Sequence, residues 1–212
     1  MKPLTHRRNA HTSPALPDGG EQILNSAARL FCRLGYAAVS LRDVAAEAGV
    51  TTGSLYHHFR SKDDLVRELL DRGHKQILRE VQTAIQSDHA QANPRATLLA
   101  GLSAHLNCLL APDSLPAANI RIFAHVPESL RKATLRGRRN YERFWIDLLQ
   151  TFAGDGFIRS KIEPKALAMI LFGAMNWSLE WFKPGRDQVQ DLAIDLLQLV
   201  VEPLATSEDA IA

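Results

Sequence analysis

The stretch "SLRDVAAEAGVTTGSLYHHF", Ser40 to Phe59, restricts the fold of this chain more than any other. Ser40 caps a short helix, and Asp43 three residues on completes a capping-box-like pair. Leu41, Val44, Ala45 and Ala48 form its apolar stripe, and Gly49 ends it. A second short helix follows at once and closes near Phe59. It opens on two threonines and a glycine and then crowds a tyrosine against two histidines. Thr, Gly, Tyr and His each cost a few tenths to ~1 kcal/mol relative to Ala in a helix. Something other than helix propensity selected them. Two short helices joined by a tight turn around Gly49 make a helix-turn-helix unit, and the second helix of such a unit enters the DNA major groove.

That reading assigns the side chains. Thr51, Thr52 and Ser54 offer short hydroxyls to phosphates or bases, and Gly53 lets the backbone approach the duplex. Tyr56 and His58 supply longer polar tips, and Lys62 reaches a phosphate as a point charge. Leu55 and Phe59, at i and i+4, point the other way and hold the helix to its neighbours. Adjacent His57 and His58 do not make a metal site, because neighbours on a helix diverge by roughly 100° and no third ligand follows at i+4.

The rest of the chain reads as helix. Ile23, Ala27, Leu30, Phe31 and Leu34 mark a first helix stopped by Gly35, and Ser61 caps a longer fourth helix with Asp63 and Asp64 in its first turn. Further helical patterns run over 95–110, 115–124, 128–153, 164–182 and 187–204, with breaks at Asn93-Pro94, Pro112, Pro127, Gly154-Asp155-Gly156 and Pro184-Gly185. No set of alternating strands appears, so the fold class is all-α. Residues 1–18 read as a flexible basic tail, 19–65 as the helix-turn-helix domain, 66–205 as a larger helical domain and 206–212 as a second tail. The net charge of +2 argues for no partner, but its distribution is uneven. Residues 1–75 hold 11 Lys/Arg against 8 Asp/Glu, and residues 76–212 hold 14 against 15. Cys32 and Cys108 match no metal spacing and read as buried thiols in a reducing compartment. Arg7 and Arg8 precede no apolar run, and the apolar stretch 166–179 is too short to span a membrane. A cytoplasmic protein with no membrane association is expected.

"ILNSAARLFCRLGYAAVSLRDVAAEAGVTTGSLYHHFRSKDDLVRELL", Ile23 to Leu70, resembles the DNA-binding domain of the TetR family of transcriptional regulators. The resemblance implies phosphate-contacting roles for Ser54, Tyr56 and Lys62. It implies base-facing roles for Thr52, Gly53, His57 and His58, and places Arg42 at the start of the supporting helix. Family members often carry a smaller residue where His57 stands, which leaves its base preference open. The family further implies a C-terminal helical domain that dimerises and binds a small-molecule effector.

In that part of the chain, Val189, Leu192, Ala193, Leu196, Leu197 and Val200 form an apolar stripe. The helix before it is apolar nearly all round, with Gly173 and Ala174 permitting close approach. These two helices, with Trp181, are expected to form the interface of a homodimer. "GAMNWSLEWFKPGR", Gly173 to Arg186, resembles either the acyl-CoA-responsive, lipid-catabolism subgroup of the family or a structural anchor of the dimer. Lys132, Arg136, Arg139 and Arg143 share one helix face, suited to the phosphates of a CoA group or simply solvated. Phe123, Trp145, Phe172, Met175, Asn176 and Trp177 are the expected lining of an apolar pocket, with Arg136 and Arg139 outside it. His105, Asn107, Arg121, His125 and Tyr141 are scattered further candidates.

The resulting expectation is a ligand-responsive repressor that reads a palindromic operator and leaves it on binding a small apolar effector such as an acyl-CoA. Two alternatives stand beside it, a multidrug-type sensor of the same fold and a constitutive architectural DNA binder. No catalytic residues, metal or cofactor are expected, since no phosphate-cradling glycine loop, HExxH helix or nucleophile elbow appears.

Overall fold

A computed structural model describes residues 18–158 and 162–201. The two expected tails fall on residues outside that range, save Asp18. Among the described residues there are nine α-helices, one short 3-10 turn (Ala90–Ala92) and no β-strand. The helices are α1 Asp18–Ala38, α2 Leu41–Glu47, α3 Thr52–His58, α4 Lys62–Ile85, α5 Pro94–Leu110, α6 Leu115–Ile122, α7 Glu128–Gly154, α8 Pro164–Trp181 and α9 Val189–Val201.

Local chemistry fixes the first four. Gly35 leaves the helical region at φ 75°, ψ 171°, which breaks α1 where the sequence expected it to stop. Ser40 accepts from the Asp43 amide while the Asp43 carboxylate accepts from the Ser40 amide at 2.8 Å, a complete capping box. After α2, Gly49 sits at φ 66°. The Val50 amide donates to Ala45 O at 3.0 Å and the Gly49 amide to Ala46 O at 3.1 Å, a Schellman closure that needs a left-handed residue at Gly49. Thr51 caps α3 and Ser61 caps α4 through side-chain oxygens.

Two cores form. The first gathers Ile23, Phe31, Val44, Leu55, Phe59, Leu65 and Leu69 from α1–α4 and is completed by Ala118, Ile122, Val126 and Leu130 from farther along the chain. The second surrounds Trp145 with residues of α4, α5, α7, α8 and α9. Helix α4 serves both: Leu65, Val66, Leu69 and Leu70 lie in the first core, and Ile77 and Val81 in the second. No linker separates the two at position 65/66. Helix α6 packs against α1 and α4 alike. Cys108 is buried and Cys32 half-buried, both as free thiols.

One sequence expectation is corrected here. Leu196, Leu197 and Val200, expected on a dimer face, are buried inside the chain, where α9 packs on α5, and Val189 and Leu192 border the same core. An amphipathic stripe marks the buried face of a helix without saying whether its own chain or another covers it. The uncovered apolar face lies on α8 instead. Met169, Ile170, Trp177 and Trp181 are exposed there, Ile170 at 56% and Trp177 at 67%, with Gly173 and Ala174 between them. Leu199 is its exposed counterpart on α9.

Candidate functional sites: the helix-turn-helix face and the helical-domain cavity

Helix α3 is held by two side chains and offers the rest. Leu55 and Phe59 are buried, while Thr52, Gly53, Ser54, Tyr56 and His57 are exposed. Gln22 Nε2 donates to Ala48 O at 2.7 Å and ties α1 to the end of α2, which fixes the turn that aims α3. Arg42 is exposed at the start of α2.

Three expected DNA contacts are placed differently. The Thr51 hydroxyl accepts from the Ser54 amide at 3.1 Å, so its first task is to cap α3. His58 is half-buried, and a Cβ placed on Gly19 would stand 3.2 Å from its Nε2, so the ring packs toward α1. Lys62, expected as a free point charge, donates to the Tyr36 carbonyl and sits 4.0 Å from the centroid of the Tyr36 ring. Burial lowers its pKa against the opposing pull of Asp63 and Asp43. A cation on an aromatic face and a carbonyl is a structural tether. Tyr36, whose hydroxyl also meets Asp63 at 3.3 Å, has a larger role than the helix break the sequence suggested.

A cavity of about 400 Å³ lies in the helical domain, within the size range of small-molecule sites. Gly73, His74 and Ile77 of α4 form one wall, and Asn119, Ile120 and Phe123 another. His105 and Leu109 of α5, Arg138, Tyr141 and Glu142 of α7, and Met169, Phe172, Gly173 and Asn176 of α8 complete it. Of the expected lining, Phe123, Phe172 and Asn176 are on the wall. Trp145 and Met175 are not: both are fully buried in the packing behind it. Trp177 lines a neighbouring, more open groove of about 560 Å³ between the end of α1 and α8. That groove shares Ile120, Gly173 and Asn176 with the cavity.

Arg136 and Arg139, expected near the ligand, lie exposed on the solvent side of α7. The guanidinium on the wall belongs to Arg138, which pairs with Glu142 at 2.7 Å and lies 5.0 Å from the Phe123 ring centroid. Arg138 is itself exposed, at 48%, but reaches the wall from a position three residues before Tyr141, whereas Arg136 and Arg139 do not line it. The remaining polar groups are held neutral. Burial lowers the His105 pKa to about 3 and that of His74 to about 4, the latter with help from Arg138, and raises that of Tyr141. His105 Nδ1 and Tyr141 Oη are 2.6 Å apart. Gly73, His74 and Asn119, unmarked by any motif, were not foreseen. Asn119 donates to Leu70 O at 2.9 Å, and a Cβ at Gly73 would come within 2.5 Å of its Nδ2. A side chain at position 73 would force the Asn119 amide, and with it the bond to Leu70 O, to move.

An exposed recognition helix on one core and a largely apolar cavity beside the other, joined by α4 and α6, define a ligand-responsive helix-turn-helix regulator of transcription. Residues 23–69 match the bacterial regulatory proteins of the tetR family, and residues 91–204 match the tetracyclin repressor-like C-terminal domain. The chain belongs to the TetR family. It is 28% identical over 187 residues to the HTH-type transcriptional repressor KstR2 of Rhodococcus jostii, a match covering 87% of this chain and 90% of KstR2. A shorter stretch matches more closely elsewhere: 46% identity over 54 residues with the regulator TtgR of Pseudomonas putida, 26% of each chain. In fold it is similar to AibR, crystallised with isovaleryl coenzyme A and operator DNA, at TM-score 0.76 and 24% identity over 88% of this chain and 100% of that one. Among the described residues no helix is long and apolar enough to cross a membrane.

Proposed function

We propose that this protein is a two-fold repressor that releases a palindromic operator when an apolar acyl or polycyclic thioester enters the helical-domain cavity. One observation carries the reading. The cavity is walled by α4 and α6, and the same two helices supply Leu65, Leu69, Ala118 and Ile122 to the core that seats α3. A ligand against Gly73 or Asn119 therefore touches elements that set the position of the recognition helix. It acts only through its different affinity for the two spacings of that helix.

Dimerisation through the exposed α8 face places the two α3 helices roughly 34–40 Å apart, about one turn of DNA. Thr52, Gly53 and His57 face bases, Ser54 and Tyr56 face phosphates, and Arg42 supports them. The protein acts in the cytoplasm, where its DNA is, and has no catalytic role. The repressor assignment is supported by the likeness to KstR2 over most of both chains, and the thioester by AibR, whose fold holds an acyl-CoA together with operator DNA. The acyl part occupies the cavity and the headgroup leaves it past Ile120 and Asn176, where cavity and groove meet.

A mobility shift on the operator, with acyl-CoAs and the matching free acids, tests the reading. Release by thioesters at micromolar concentration is expected. Release by cationic drugs alone points to a multidrug-type sensor, and indifference to every compound points to an architectural DNA binder.

A further inference from the structure

The cavity's polar groups go further than its shape. Neutral imidazole carries one N–H and one bare nitrogen, and a neutral phenol carries one O–H. His105 and Tyr141 therefore share two donor hydrogens, and their mutual 2.6 Å bond uses one. If Tyr141 donates to Nδ1, the hydrogen left over is on His105 Nε2. If Nδ1 donates, it is on Tyr141 Oη. Either way one buried donor on the wall is without a protein acceptor, and His105 Nε2 indeed has no partner. Arg138 is half-exposed and pairs with Glu142 at 2.7 Å, and no charged group acts on the His105 ring, whose lowered pKa comes from burial alone. Burying a carboxylate or an ammonium beside these groups would leave it uncompensated.

We infer that the portion of the effector enclosed by the cavity is uncharged and carries a carbonyl oxygen, as a ketone, ester or thioester does, accepting a hydrogen bond from the His105–Tyr141 pair. This rests on the cavity being the effector site. Asn119 Oδ1, an acceptor without a partner, favours a hydroxyl or amide N–H elsewhere on the same molecule.

The test uses four probes of one shape, namely decalone, decalin, decalin carboxylate and the protonated decalin amine. Calorimetry is run on the full-length protein and on H105F/Y141F. Replacing both partners of a buried hydrogen bond by apolar groups of similar shape is nearly neutral for the fold, and a thermal melt checks it. The wild type is expected to bind decalone roughly tenfold more tightly than decalin, the scale of satisfying one buried donor, and both charged probes more weakly still. The double variant is expected to bind decalone and decalin within about twofold of each other. Each single variant keeps a donor hydrogen and hence part of the preference. A merely structural pair would not behave in this way.

Decalone preference unchanged in the double variant, or tightest binding by the carboxylate or the amine, overturns the inference while leaving the cavity a ligand site. Failure of all four to bind the wild type removes the cavity as a ligand site and the inference with it. If the double variant does not fold, the wild-type ranking decides: equal affinity for decalone and decalin overturns the inference.

Discussion

The helix starts of the α1–α4 head and those of α7 and α8 in the α5–α9 body are fixed by different kinds of interaction. In the head, the helix ends are written in adjacent residues: Ser40 with Asp43, Thr51 with Ser54, Ser61 with Asp64, and the Gly49 closure. In the body, Asn93 and Ser114 cap α5 and α6 in the same way, but α7 and α8 start after Pro127 and Glu163 with no side-chain cap. Their positions come from Trp145, Tyr141, His105 and Phe172, which meet across the core from three helices. The helix starts of α2 to α6 are thus specified by short-range chemistry, and those of α7 and α8 by contacts far apart in sequence.

The sharpest way to break this division is to charge the body's buried and open faces separately. Leu196→Glu with Leu197→Glu puts two unpaired carboxylates into the core and is expected to cost more than about 4 kcal/mol, abolishing the cooperative melt. Ile170→Glu with Trp177→Glu acts on an exposed face. Monomers with a preserved melt are expected there, and operator affinity lower by orders of magnitude. Sedimentation and calorimetry separate the two outcomes. A stable dimer in the second variant would mean that the α8 face is not the interface.

Acid is the next lever, and it acts on the body. The folded pKa of His105, about 3, and of His74, about 4, lie below the ordinary 6.5. The unfolded chain therefore binds more protons than the folded one as pH falls below about 6.5. Stability is fully present above that pH and declines toward pH 4, by up to ~1.4 kcal/mol per pH unit for each histidine. H105F should remove about half of this slope in urea titrations between pH 6.5 and 4.5, and an unchanged slope would place the acid sensitivity elsewhere.

Smaller effects sharpen the joint between the regions and then the head alone. Gly73→Ala drives a methyl into Asn119 and should cost ~1–3 kcal/mol, more than the gain in helix propensity returns. Chemical denaturation measures this, and a stabilised variant would show that α6 yields easily. Ser40→Ala removes one cap and should lower stability by ~1 kcal/mol, with the cavity's ligand affinity unchanged. A change in that affinity would show that head and body are coupled even through α2.

The residues explain what sequence could convey. The Ser40 and Ser61 caps, the Gly49 turn and the Leu55/Phe59 pair were legible because each needs only neighbours within a few positions, whereas Thr51 was read as a DNA contact and not as the cap of α3. Helix limits in the body were legible from Pro and Gly punctuation to within a few residues. Its site was less so. Phe123, Phe172 and Asn176 were foreseen, yet Trp145 and Met175 fell behind the wall, since an aromatic inside a helix carries no sign of which cavity it faces. Arg138 could not be told from Arg136 and Arg139 without knowing which side of α7 is inward. Lys62 was legible as a cation, but not as one occupied by Tyr36.

The unbroken run of α4 through both regions sets a phase between them. Each residue advances a helix by about 100° and 1.5 Å. One residue inserted between Leu70 and Ile77 would swing the recognition helix about a quarter-turn around the α4 axis while both cores kept their composition. Length variation among relatives is therefore expected in the loops rather than in this segment. A head taken from another regulator will serve this body only if it is spliced in register, so that whole helical turns, and not residue counts, are the unit of exchange.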